Sequence, residues 1–316
     1  MFKILLYILV ALVLLAAVTL WRASAREAAA EAAYPPEGQF IDVNGQKVHV
    51  VVRGSGPDLI LIHGASGSTR DVTFSLVEKL EQDYRVIALD RPGLGYTPRI
   101  TKAGETLTQQ ADLLSDAARE LGAQNPIVVG HSFGGAVALN WAVNHPDTMA
   151  AMVLLAAPSN PWTTPIDPLY RATSSKLGAT FLVPLLTAFV PNSYVANAFS
   201  EVFEPQDAPD GYADYFGPGV TLRRHTMIAN ARQRTHLLPD IKALVPHYGD
   251  IDVPTEILHG DVDTIVGLPI HSALLVDQIK GANLTVLKGV GHMPQHVSQP
   301  EVIDAINRAA VRAGLR

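Results

Sequence analysis

The sequence predicts an α/β fold: a mostly parallel sheet of eight strands, flanked by helices and interrupted by a helical cap, behind an N-terminal hydrophobic helix. Three observations predict it. Short apolar runs such as Leu59-Ile60-Leu61-Ile62 and Ile127-Val128-Val129 lack polar alternation, as strands buried on both faces do. Helix-length segments separate most of these runs, which is the spacing of parallel crossovers. One gap, between residues 155 and 255, is far longer than the rest and must hold an additional unit.

The elements follow in order along a chain of 316 residues, enough for one large α/β domain with an insertion. Residues 4–21 are apolar and uncharged, bounded by Lys3 and Arg22. That is about the minimum for a transmembrane helix and longer than the roughly 7 to 15 apolar residues of a signal peptide. Residues 1–22 are therefore read as a membrane anchor, with the folded domain external or periplasmic. The alternative is a secreted protein cleaved at Ala23-Ser24-Ala25, which has the A-x-A pattern of a signal-peptide site. Residues 23–39, alternating Ala, Arg and Glu before Tyr34-Pro35-Pro36-Glu37-Gly38, are read as a tether.

The folded core is expected over residues 40–157 and 253–316. It opens with Phe40-Ile41-Asp42-Val43 and Lys47-Val48-His49-Val50-Val51-Val52, joined by Asn44-Gly45, a dipeptide suited to a type I′ hairpin. The remaining strands fall near residues 59–62, 85–89, 126–129, 152–155, 255–258 and 284–287. Residues 158–252, rich in proline and with helix-like stretches near residues 194–203 and 220–234, are expected to form the cap. Its apolar run, residues 181–190, is too short to span a bilayer, and floors an apolar pocket, touches the membrane interface or is simply buried.

Composition narrows the function. Charged residues make up 17% against 48% hydrophobic, and the net charge of -6 carries no basic footprint for nucleic acid. With no cysteine, disulfides, thiolate metal sites and cysteine nucleophiles are excluded.

The chemistry is expected where parallel strands end. Gly130-His131-Ser132-Phe133-Gly134 follows an apolar run and opens into Ala136-Val137-Ala138-Leu139, the G-x-S-x-G pattern of a strand-turn-helix elbow that exposes a serine hydroxyl. A serine needs a base, an orienting carboxylate and oxyanion donors. His63-Gly64-Ala65-Ser66-Gly67 ends an earlier strand, so the N–H groups of Ala65 and Phe133 are the expected donors. His259-Gly260-Asp261-Val262-Asp263 offers two carboxylates. Asp263 is preferred, since Asp261 adjoins Gly260 and suits a turn; Glu256 lies within the strand. Among eleven histidines, His292 on Gly289-Val290-Gly291-His292 is the candidate base and His296 its main competitor.

The order Ser132, Asp263, His292, with His63-Gly64 and Asp90-Arg91-Pro92-Gly93-Leu94-Gly95, resembles the α/β-hydrolase superfamily over nearly the whole stretch from residue 40 to 310. The resemblance implies acyl transfer by a Ser132-His292-Asp263 triad on a small-molecule acyl substrate, with no metal and no cofactor. Asp90 and Arg91 are expected to shape a loop. Serine at 132 sets the chain apart from haloalkane dehalogenases and epoxide hydrolases, whose nucleophile is an aspartate. The expected activity is that of a carboxylesterase or lipase on an apolar ester, with Trp162 and the weakly charged cap behind the apolar choice. A carbon-carbon bond hydrolase, a cofactor-free haloperoxidase and a non-catalytic binding protein are the alternatives.

Overall fold

Asn44 and Gly45 have φ of 52° and 85°, both positive as a type I′ turn requires. They close the antiparallel hairpin of β1 (Gln39–Val43) and β2 (Gln46–Arg53). The computed structural model, which describes all 316 residues, adds β3 (Asp58–Ile62), β4 (Arg85–Leu89), β5 (Ile127–His131), β6 (Ala151–Leu155), β7 (Thr255–Gly260) and β8 (Asn283–Leu287). They form one sheet in the order β1-β2-β4-β3-β5-β6-β7-β8, parallel from β4 to β8. The eight-stranded, mostly parallel sheet expected from the sequence is the one observed.

Apolar residues fill both faces because helices cover both. On one side lie α2 (Leu107–Glu120) and α3 (Phe133–Asn144), whose Leu114, Ala117, Val137 and Trp141 are fully buried. Burial of one such leucine contributes about 2 kcal/mol. Thr106 and Gln109 start α2 with a reciprocal capping box. Val302 and Ile306 of α7 (Gln299–Arg312) close the other face.

The long gap holds α4 (Val183–Phe189), α5 (Asn192–Phe203) and α6 (Arg224–Leu244) with shorter helices between them. Helix α6 runs ten residues beyond the expected end at 234 and passes through Pro239. Leu237, Ile241 and Leu244 belong to the main hydrophobic cluster, so packing outweighs the proline's lost hydrogen bond.

The N-terminal segment differs from its sequence reading in one respect. Helix α1 (Phe2–Ala33) continues through the first part of the expected tether and stops only before Tyr34-Pro35-Pro36. Glu27 and Glu31, one turn apart, pair with Arg224 and Arg223 of the cap at 2.6 and 3.0 Å. Arg22 donates to the Ala188 carbonyl at 2.7 Å, and Arg26 to Asn192 at 2.8 Å. Residues 23–33 are thus a docked helix, and α1 alone is a single helix long and apolar enough to cross a membrane.

Candidate active site

Three strand ends converge above the sheet. Ser132 stands between β5 and α3 with φ 51° and ψ −123°, a left-handed position rare for a residue bearing a side chain. Its N–H donates to the Leu155 carbonyl of β6 at 2.8 Å, and its carbonyl accepts from the Gly135 N–H at 2.8 Å. The turn is this tight because α3 closes on β3: a Cβ on Gly134 would meet the Ile62 carbonyl oxygen at 2.3 Å.

Asp263 follows β7 and His292 follows β8. The two loops touch so closely that a Cβ on Gly260 would meet the Val290 carbonyl oxygen at 2.0 Å. His292 Nδ1 lies 2.7 Å from Asp263 Oδ2, and His292 Nε2 lies 3.0 Å from Ser132 Oγ. A carboxylate facing Nδ1 keeps the proton there and leaves the Nε2 lone pair free to accept from the serine hydroxyl. Asp263 Oδ1 accepts from the N–H groups of Ile265 and Val266 at 2.8 and 2.9 Å. Burial works to raise the Asp263 pKa, yet hydrogen bonding to His259 and His292 prevails and holds it below the usual carboxylate range.

The competing residues lie elsewhere. Asp261 accepts from the Gly289 N–H at 2.6 Å and braces the turn before His292. His296 pairs with the buried carboxylate of Asp71 at 2.8 Å. Glu256 is fully buried and bound by Arg308 and Arg312, which fix α7 to β7.

Ala65 and Ser132 line the same cavity, and the Ala65 N–H has no acceptor within the protein. Phe133 is the first residue of α3, so its N–H precedes the helix's own hydrogen-bond ladder. The loop bearing Ala65 is held from two directions. Asn230 of α6 accepts from the Ser66 N–H at 2.9 Å and donates to its hydroxyl at 2.8 Å. Arg91, fully buried, donates to the carbonyls of His63 and Gly64 and lies 4.2 Å from the centre of the Phe133 ring. Asp90 accepts from the N–H groups of Thr69 and Tyr96 and from His49, the loop-shaping part expected of it.

Several neighbours carry no local signal in the chain. His259 Nε2 faces the Val266 carbonyl at 2.7 Å and Asp263 Oδ2 at 3.2 Å, while its Nδ1 meets Ser272 Oγ at 2.6 Å. Two acceptors around Nε2 place the proton on that nitrogen. His131 donates from Nε2 to the His292 carbonyl, and burial followed by the nearby His292 pushes its pKa down to about 4. Asn230 and His259 are separated from their partners by 164 residues and by one turn of irregular chain, and no spacing rule flags either.

Above the Ser132 hydroxyl lies a cavity of about 320 Å³, with 16 hydrophobic residues among the 28 that line it. Leu186, Val190, Phe199, Val202 and Met227 of the cap supply much of that wall. Trp162 does not: it packs edge-on against His271, 5.7 Å between ring centres.

A family model described as alpha/beta hydrolase fold matches residues 57–299. The chain is 28% identical to a 2-hydroxymuconate semialdehyde hydrolase of a Pseudomonas species, over 83% of this chain and 89% of that one. It is likewise 28% identical to a non-heme haloperoxidase of Rhodococcus erythropolis, covering 76% and 86%. An esterase structure from Exiguobacterium antarcticum superposes with a TM-score of 0.68 at 22% identity, covering 86% and 98%, and so shares the fold. With an elbow, a sheet order and a family match that agree, the chain belongs to the α/β-hydrolase fold family.

Proposed function

We propose that the protein is a serine hydrolase that cleaves an apolar ester or related acyl substrate through Ser132, His292 and Asp263. The observation that carries this reading is the line of contacts from Asp263 through His292 to Ser132, at 2.7 and 3.0 Å, on the floor of a largely apolar cavity. Ser132 Oγ attacks the carbonyl carbon as its proton passes to His292 Nε2. The oxyanion receives the N–H groups of Ala65 and Phe133. The carbon–oxygen bond breaks, and the leaving alcohol takes the proton from His292. Water then attacks the acyl-serine with His292 again as base, releasing the acid and restoring Ser132. Asp263 keeps the imidazole oriented and stabilises its charged form.

In the same reading α1 is retained as an anchor with the hydrolase domain external. Support comes from Arg22 and Ser24, which lie at or before the cleavage pattern and bond to Ala188 and Arg224 of the cap. A series of nitrophenyl esters from acetate to long chains tests the substrate reading. Turnover rising with chain length supports it. Inertness toward every ester, with turnover of a ring-cleavage product, replaces it by carbon–carbon bond hydrolysis; failure of both and of covalent labelling favours a binding protein.

A further inference from the structure

Two uncharged segments meet at one place on the surface. Between Lys3 and Arg22 the chain has no charge, and between Lys176 and Glu201 it again has none. They are joined where α1 packs along α4: Arg22 reaches the Ala188 carbonyl, and its guanidinium lies 5.5 Å from the centre of the Phe189 ring. Arg22 is the first charge after the apolar run and Trp21 beside it is exposed, the arrangement of a helix end at headgroup depth. Phe189, held against Arg22, would share that depth.

Ahead of Phe189 the cap exposes a stripe. Leu177, Phe181, Leu185 and Phe189 recur every four residues and are 73%, 66%, 41% and 50% exposed. The repeat stays in line because residues 178–182 form a π-helical turn, which has more residues per turn than an α-helix, before α4 begins. On the other side of the same helix, Val183 and Ala188 are buried while Leu186 and Val190 line the cavity over Ser132. Leu169 and Tyr194 line that cavity and are themselves exposed, so its rim is apolar where it opens. One helix thus separates the cavity from an exposed apolar face beside the anchor.

We infer that the stripe from Leu177 to Phe189 lies in the interfacial layer of the bilayer that holds α1, and that the cavity draws its substrate, a long-chain acyl lipid, from that layer. A stripe of this size in water is costly, and an amphipathic segment with no charge on its outer face is relieved by headgroup and acyl-chain contact. The continuity with α1 selects the bilayer as the occupant. Lipid as substrate rests on the acyl-hydrolase reading, whereas bilayer contact rests on retention of α1 as an anchor and on the packing of α4 beside it.

The chain has no cysteine, so single cysteines report cleanly. Full-length Phe181→Cys and Leu185→Cys, each carrying an environment-sensitive fluorophore, are placed in vesicles of equal parts phosphatidylcholine and phosphatidylglycerol. Lys288→Cys, whose native side chain is 90% exposed, serves as the aqueous control. The expected result is blue-shifted emission at 181 and 185, quenched by spin-labelled lipid and shielded from iodide, with the reverse at 288. Iodide quenching at 181 and 185 equal to that at 288 overturns the bilayer contact. So does an apolar signal that ignores spin-labelled lipid and fades as the protein is diluted among vesicles, which is contact with a second copy. In a second arm, the double variant Phe181→Asp and Leu185→Asp should raise the KM for a vesicle-embedded long-chain ester by roughly tenfold, and leave a soluble short ester within about twofold. Equal losses on both esters overturn membrane entry of the substrate. Should the labels report the bilayer while the wild type hydrolyses neither ester, the hydrolase reading falls and the membrane contact stands.

Discussion

Replacing Asp263 by Asn separates the orienting carboxylate from mere packing. The carbonyl of the amide keeps the position of Oδ1 and still accepts from Ile265 and Val266, so the loop after β7 retains its backbone bonds. The NH2 group then occupies the site of Oδ2, facing His292 Nδ1 at 2.7 Å. Two donors cannot share that contact, so Nδ1 must become the acceptor and the imidazole proton moves to Nε2. That nitrogen faces Ser132 Oγ at 3.0 Å and can no longer take its proton. In serine hydrolases with this arrangement the wrong tautomer costs roughly 10⁴-fold in kcat. At 1.36 kcal/mol per tenfold, that is about 5.4 kcal/mol of lost transition-state stabilisation. The assay is kcat on a soluble nitrophenyl ester, with circular dichroism melting to show that the variant folds. Asp261→Asn is the companion, since its carboxylate caps the Gly289 N–H and faces the exposed Lys288 ammonium at 3.7 Å, and the variant should keep activity within about threefold. A folded Asp263→Asn with activity within tenfold of wild type, or loss confined to Asp261→Asn, refutes the assignment.

Three further outcomes follow from the structure. Burial, the first cause in each case, pushes the pKa values of His63, His131 and His271 down to about 4, and all three are at most 5% exposed. A neutral histidine in the fold and a pKa near 6.5 in the unfolded chain mean that unfolding binds protons between those values, so stability falls as pH drops from about 6.5 to about 4. Melting at a series of pH values should show net proton uptake on unfolding near pH 5, and a flat profile there contradicts it. Gly134→Ala places a methyl 2.3 Å from the Ile62 carbonyl oxygen, a backbone atom that cannot yield, so α3 must shift from β3. Loss of at least about 2 kcal/mol in denaturant melts, together with a sharp drop in kcat, is expected. Finally, immunoblots of fractionated cells should find the full-length chain with membranes and resistant to alkaline carbonate; a shorter, soluble product means that the segment is removed.

Much of the fold was legible because it depends on local patterns. Continuous apolar runs marked the buried strands, and Asn44-Gly45 marked the hairpin by its demand for positive φ. The preference for Asp263 over Asp261 rested on a local argument, that an aspartate next to Gly260 suits a turn; the reach of Asp261 across to the Gly289 N–H had no local sign. What the sequence hid is pairing across distance. Glu27 and Glu31 read as charges on a tether, because Arg223 and Arg224 stand almost two hundred residues away. Asn230 clamps Ser66 for the same reason, and Trp162 looked like pocket lining until His271 took its face. The π-helical turn that aligns the exposed stripe has no signature in composition at all.

If Ser132 is an activated acyl-transfer nucleophile, it reacts covalently with a serine-directed electrophile. Full-length wild type and Ser132→Ala are treated with a fluorophosphonate, and intact mass and peptide mapping locate the adduct. One adduct per wild-type chain is expected, on the peptide containing Ser132, and none on the variant. A correctly folded wild type that stays unmodified, or an adduct on another residue that persists in Ser132→Ala, contradicts it.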